Sequence, residues 1–93
     1  MQSKTLLERI AIIDENPKIQ IKYLEEELNG VNTIESFDVA TLFFLLGRGY
    51  LLTGKQDAAI HILNKALSFF VDHGDKMALY QCYNNLGIVY REE

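Results

Sequence analysis

Two segments of this chain repeat each other 40 residues apart, and no other feature constrains the fold as much. Phe43-Phe44-Leu45-Leu46-Gly47-Arg48-Gly49-Tyr50 and Tyr83-Asn84-Asn85-Leu86-Gly87-Ile88-Val89-Tyr90 have the same pattern. Each reads aromatic, two variable residues, Leu-Gly, two variable residues, Tyr. A fixed period in this range marks chains that stack one supersecondary unit on the next, because a single unit cannot bury its apolar face alone.

Apolar spacing and punctuation predict five helices. The first covers about 3–15, with Leu6, Ile10 and Ile13 on one face and Leu7 and Ala11 beside them. Asn16-Pro17 ends it, since the residue before proline disfavours helical angles. Pro17 suits the first turn of the second helix, about 17–29, where its missing N–H is not needed. Ile21, Leu24 and Leu28 form that helix's stripe, and Gly30 stands at its C-terminal stop. Residues 30–37 are the longest connection, with Ser36 or Asp38 available to cap the third helix, about 38–53. Thr53-Gly54 stops it. The fourth helix, about 56–72, has Ala59, Leu63, Ala66 and Phe70 on its inner face and ends at His73-Gly74. Asp75 is placed to cap the fifth, about 76–92. That helix is apolar on several sides through Leu79, Tyr80, Tyr83, Leu86, Ile88, Val89 and Tyr90, which calls for partners on more than one face. No stretch alternates with period two, so no sheet is expected.

Composition excludes several classes. With 93 residues, 48% of them hydrophobic and 24% charged, the chain makes one small globular domain. A net charge of −4 without any Lys/Arg cluster argues against nucleic acid as partner, since phosphate binding needs a basic face. Cys82 is the sole cysteine, so no internal disulfide forms and a reducing compartment is expected. No run approaches the roughly 20 apolar residues that span a bilayer. The start, Met1 to Arg9, meets charge too early for a secretory signal. A cytoplasmic chain without membrane contact is the expectation.

Nothing in the chain spells out a reaction. Gly49-Tyr50-Leu51-Leu52-Thr53-Gly54-Lys55-Gln56 nearly matches the phosphate loop, but its interior is apolar and helical, and Gln56 replaces the hydroxyl that holds magnesium. His61 and His73 lack the three or four close ligands of a metal site and read as a solvated helix face and a capped turn. Cys82 has no base or cation beside it to make it a nucleophile. Glu25-Glu26-Glu27 points in different directions around a helix and reads as a solvated face. No catalysis, metal or cofactor is expected.

Residues 40–73 resemble a tetratricopeptide repeat. Phe43, Leu46, Gly47 and Tyr50 match the pattern of that family's first helix, and Ala59, Leu63 and Ala66 match its second. Gly47 and Ala59 are small where two helices cross closely, while Phe43, Tyr50 and Leu63 fill the space on either side. The family's closing proline is absent and Val71 stands there, so the second helix is expected to run longer, as in kinesin light chains and bacterial peptide-sensing regulators. Tyr83, Leu86, Gly87 and Tyr90 match the first helix of a following unit. Over residues 3–29 the resemblance is architectural, because Glu8 falls at the glycine position and Ala11 at the tyrosine position.

The resemblance implies an all-α domain over 1–93, with antiparallel helical hairpins stacked as a right-handed superhelix of about five helices. Residues 3–29 are a degenerate pair, 38–73 a complete repeat, and 76–93 the first helix of a truncated one. It also implies a protein- or peptide-binding scaffold, the N-terminal repeat region of a larger bacterial signalling protein. Its groove would be lined by Thr41, Phe44, Arg48, Gln81, Asn84, Asn85 and Ile88. Asn85 falls where some members bond a ligand's backbone, and an amide offers both donor and acceptor for that, the alternative being that Asn84 and Asn85 bond between helices and Arg48 is simply solvated. Arg48 offers a fork to a carboxylate. Phe44 stands where carboxylate-holding members have a basic residue, which argues against that clamp. The alternative is a self-association module, a homodimer through the last helix. A small enzyme or metal protein would need a convergent polar pocket that the sequence does not provide.

Overall fold

The computed structural model describes residues 4–92, without the side chain of residue 92. It is all-α, with five helices in chain order: α1 (Leu6–Glu15), α2 (Pro17–Glu27), α3 (Phe37–Leu52), α4 (Gln56–His73) and α5 (Lys76–Glu92). No strand occurs among the described residues.

Local chemistry sets the boundaries. α1 starts at Leu6 rather than near residue 3 because Thr5 closes a capping box: its hydroxyl accepts from the Glu8 N–H at 3.1 Å, and the Glu8 carboxylate accepts from the Thr5 N–H at 3.1 Å. Hydrogen bonding from Thr5, its backbone N–H first and its side chain second, holds the Glu8 carboxyl below its usual range. Thr5-x-x-Glu8 is a helix-start signal that stands in the sequence itself. Ser36, not Asp38, caps α3, accepting from Val39 N–H at 3.2 Å. Asp75 receives the Ala78 N–H at 3.0 Å at the start of α5. Gly30, Gly54 and Gly74 carry φ of 77–80°, the left-handed conformation that lets the chain leave α2, α3 and α4 at no side-chain cost.

α3 is the hub. It packs most extensively on α4 and also touches α1, α2 and α5. α3 and α4 run antiparallel: Gly47 meets Leu63, while ten residues earlier Phe37 meets Phe70 seven residues later, with ring centroids 6.2 Å apart. Ala59, Leu63, Ala66 and Phe70 are all fully buried, as the spacing predicts. Ile21, Leu24 and Leu28 of the α2 stripe are buried too. In α1 only Ile13 is fully buried; Leu6 and Ile10 are half-buried and Leu7 is exposed. Each large buried aliphatic contributes about 1.5–3 kcal/mol relative to exposure, so the α3–α4 pair holds much of the core. A cluster of Phe37, Phe69, Phe70 and His73 closes one end, with the His73 ring stacked on Phe69 at 3.9 Å.

Candidate partner-binding surface

The residues expected to line a groove meet different fates, and Arg48 shows why. From the middle of α3 its guanidinium reaches both ways. Nε and Nη2 donate to the two Asp14 oxygens of α1 at 2.9 and 3.0 Å, and Nη1 donates to Asn85 Oδ1 of α5 at 2.9 Å. The amide of Asn85 completes the chain by donating to the Gln81 carbonyl at 2.7 Å. Arg48 thus ties α1, α3 and α5 together with a bidentate fork on one side and a partly buried bond on the other.

That arrangement corrects two of the groove assignments. Asn85 is 1% exposed, and both ends of its amide are engaged inside the protein, so it presents nothing to a ligand. Phe44 is also 1% exposed. It lies in the core because α3 is flanked by helices on several sides and has little solvent face left. Thr41 spends its hydroxyl on the Phe37 carbonyl at 2.8 Å. Gln81 and Ile88 are half-buried, and Asn84 is exposed. The structure therefore brings Arg48 and Asn85 together, but as internal bracing. Gln81 instead borders a shallow apolar recess between α1 and α5, shared with Leu7, Met77 and Tyr80.

The larger exposed feature lies on α5. Tyr80, Tyr83 and Tyr90 are 65%, 58% and 55% exposed, and with Gly87 they recur at three- and four-residue steps on one face. From Met77 to Tyr90 the helix carries no charged residue, so this solvent-facing stripe has none of the Lys, Asp and Glu that cover the outer faces of α2 and α4. Tyr80, Tyr83, Gly87 and Tyr90 lie outside the residues expected to line a groove, although the apolar residues on several sides of the helix signal an unpaired face in the sequence.

The two matched glycines differ sharply. A Cβ built on Gly47 would lie 2.7 Å from Leu63 Cγ and Cδ2 and 3.5 Å from Ile62 Cγ2, so α4 presses directly on α3 there. A Cβ built on Gly87 meets nothing within 4 Å. The same sequence pattern is covered by a helix at one site and bare at the other, among the described residues.

The remaining chemistry is accounted for locally. Cys82 is fully buried, and burial pushes its thiol up from 9.0 to about 12, which disfavours the nucleophilic thiolate. The Tyr50 hydroxyl is likewise raised to about 12, chiefly by burial and then by donating to Glu25 at 2.6 Å. Gly49 to Leu52 lie in α3, and Thr53 and Gly54 form the turn after it, so the stretch resembling a phosphate loop is a helix end. His61 is exposed on α4. His73 Nδ1 lies 2.8 Å from the Phe69 carbonyl. Among the described residues, no three His, Cys, Asp or Glu side chains cluster as a metal site would require, and no helix is long and apolar enough to cross a membrane.

Fold and surface together define an all-α helical protein whose most exposed apolar face is on α5. Comparison with protein-family models, with curated proteins and with solved structures finds no match in any of the three.

Proposed function

We propose that this protein is a protein-binding scaffold of the tetratricopeptide-like helical-repeat type, without catalysis of its own, and that it engages its partner through the outer face of α5. The observation that carries this reading is the uncharged stripe of Tyr80, Tyr83, Gly87 and Tyr90. Three tyrosines exposed to this degree present on the order of 350 Å² of ring and stem, taking about 200 Å² for a whole side chain. Apolar patches of that size on a monomer are often functional. Tyrosine suits such a face because it offers a large rigid ring and a hydroxyl that stays wet when the face is free. The apolar recess beside Leu7 and Met77 extends the same surface toward α1.

The resemblance to tetratricopeptide repeats adds the setting: a cytoplasmic, bacterial signalling protein in which these helices dock a peptide or protein. The 40-residue period and the matched Leu-Gly segments support it. Self-association through α5 is the second reading, favoured by the same exposed tyrosines. The test is selection of helical peptides from a displayed library against the folded protein. Peptides that bind the native chain and lose at least tenfold in affinity for Tyr83→Lys support the reading. A selection that yields no binder, or binders indifferent to Tyr83→Lys, rejects it.

A further inference from the structure

We infer that the occupant of the α5 face is an amphipathic helix from a partner protein, laid antiparallel on α5 with a small-x3-Leu-x2-small stripe. The inference rests on the docking role proposed above and goes further by specifying the partner's chemistry. The bare stripe repeats a pattern already covered inside this protein, where Gly47 of α3 lies against Leu63 of α4, and Leu63 is flanked on its own helix by Ala59 and Ala66, the three α4 residues all fully buried. The leucine of that answering stripe lies against Gly47, and the contact is so close that a methyl group there would sit 2.7 Å from it. α5 offers Tyr83, Gly87 and Tyr90 at the same spacing with nothing against Gly87. Glycine is a poorer helix former than alanine, and no neighbour within the described residues requires one at 87. Close approach of a second backbone or a branched side chain supplies the reason.

Two features refine the partner. Tyr80 stands one period after Ala40, which is fully buried between the Phe37–Phe70 and Gly47–Leu63 contacts. A helix on α5 therefore needs a small residue where α4 has Phe70. The face carries no charge from Met77 to Tyr90, so apolar packing and tyrosine hydroxyls hold the partner, with Lys76 and Arg91 only at the ends. A second copy fits less well. Its own α5 would bring tyrosines against tyrosines, where α4 answers α3 with the small and branched residues Ala59, Leu63 and Ala66.

The test uses a labelled synthetic peptide of residues 55–74 carrying Phe70→Ala, added to the intact protein. Removing Phe70 fits the peptide to Tyr80 and stops it replacing the protein's own α4, whose Phe70 is core. The expected result is saturable binding to a monomeric protein, weakened at least tenfold by Gly87→Leu while the far-ultraviolet circular dichroism stays unchanged. A peptide variant with Leu63→Asp should not bind. Absence of binding, or binding unaffected by Gly87→Leu, overturns the inference. Sedimentation as a dimer that Gly87→Leu dissociates also overturns it and assigns the face to a second copy. If library-selected helices need Tyr83 but this peptide does not bind, the docking role survives and the partner assignment fails.

Discussion

At the scale of single residues, Gly47 and Gly87 occupy equivalent positions and should respond oppositely to one methyl group. Gly47→Ala drives a Cβ into Leu63, which is fully buried and has no room to retreat, so about 1–3 kcal/mol of stability should be lost despite the better helix former. Gly87→Ala meets open space and should gain up to about 1 kcal/mol. Urea unfolding of the two variants reads both signs; equal effects would contradict the contrast between a covered and a bare stripe. Cys82 gives a second test. Its thiol is raised to about 12 in the fold, while an unfolded chain ionises it near 9.0. The folded state therefore holds the proton longer. Its contribution to stability is complete below pH 9 and lost as pH rises from 9 toward 12. Cys82→Ser should flatten the start of that decline, and the native thiol should react with a disulfide reagent only as fast as the protein opens.

At the scale of elements, the helix ends follow from caps and glycines whose signals are local. Gly74 ends α4 in the left-handed conformation, with its N–H donating to the Phe70 carbonyl and open space around its Cα. Gly74→Ala should cost about 1 kcal/mol from backbone strain alone, read as a lowered Tm, because no side chain stands in the way. Four of the five helices lie within two residues of the spans expected from apolar spacing, since proline, glycine and capping residues act on their near neighbours. The α2 and α4 stripes were legible because a helix with one buried face leaves a clean periodicity. α3 was not legible in that way: it is apolar nearly all round, and periodicity cannot say which side is core when neighbours cover most sides. Phe44, placed in a groove by the tetratricopeptide resemblance, lies in the core, and the periodicity of α3 could not have corrected that. Asn85 is a related case: the resemblance puts it in the groove, with a bond between helices as the alternative, and the bond to Arg48 is that alternative. A polar residue on an apolar helix is equally consistent with an outward ligand contact and an inward hydrogen bond, and only the position of Arg48 37 residues away decides between them.

At the scale of the molecule, Arg48 is, among the described residues, the one side chain hydrogen-bonded across three helices. Arg48→Ala should cost about 1–3 kcal/mol, mostly because the buried Asn85 oxygen is left without a donor. Asp14→Ala should cost less than about 1 kcal/mol, since that carboxylate is solvated. Urea unfolding of the two variants should preserve that order; the reverse would contradict the greater weight of the Asn85 bond over the Asp14 pair. α5 is fastened from behind by Asn85 and packed through Ala78, Cys82, Leu86 and Val89, which leaves Tyr80, Tyr83, Gly87 and Tyr90 facing solvent. The most direct measurement is amide chemical-shift mapping of the labelled protein during titration with a library-selected helical peptide. Shifts concentrated at Tyr80, Tyr83, Gly87 and Tyr90 are expected. Shifts confined to the outer face of α4 around Asp57, His61 and Asn64, with α5 silent, would contradict the assignment of α5 as the docking helix.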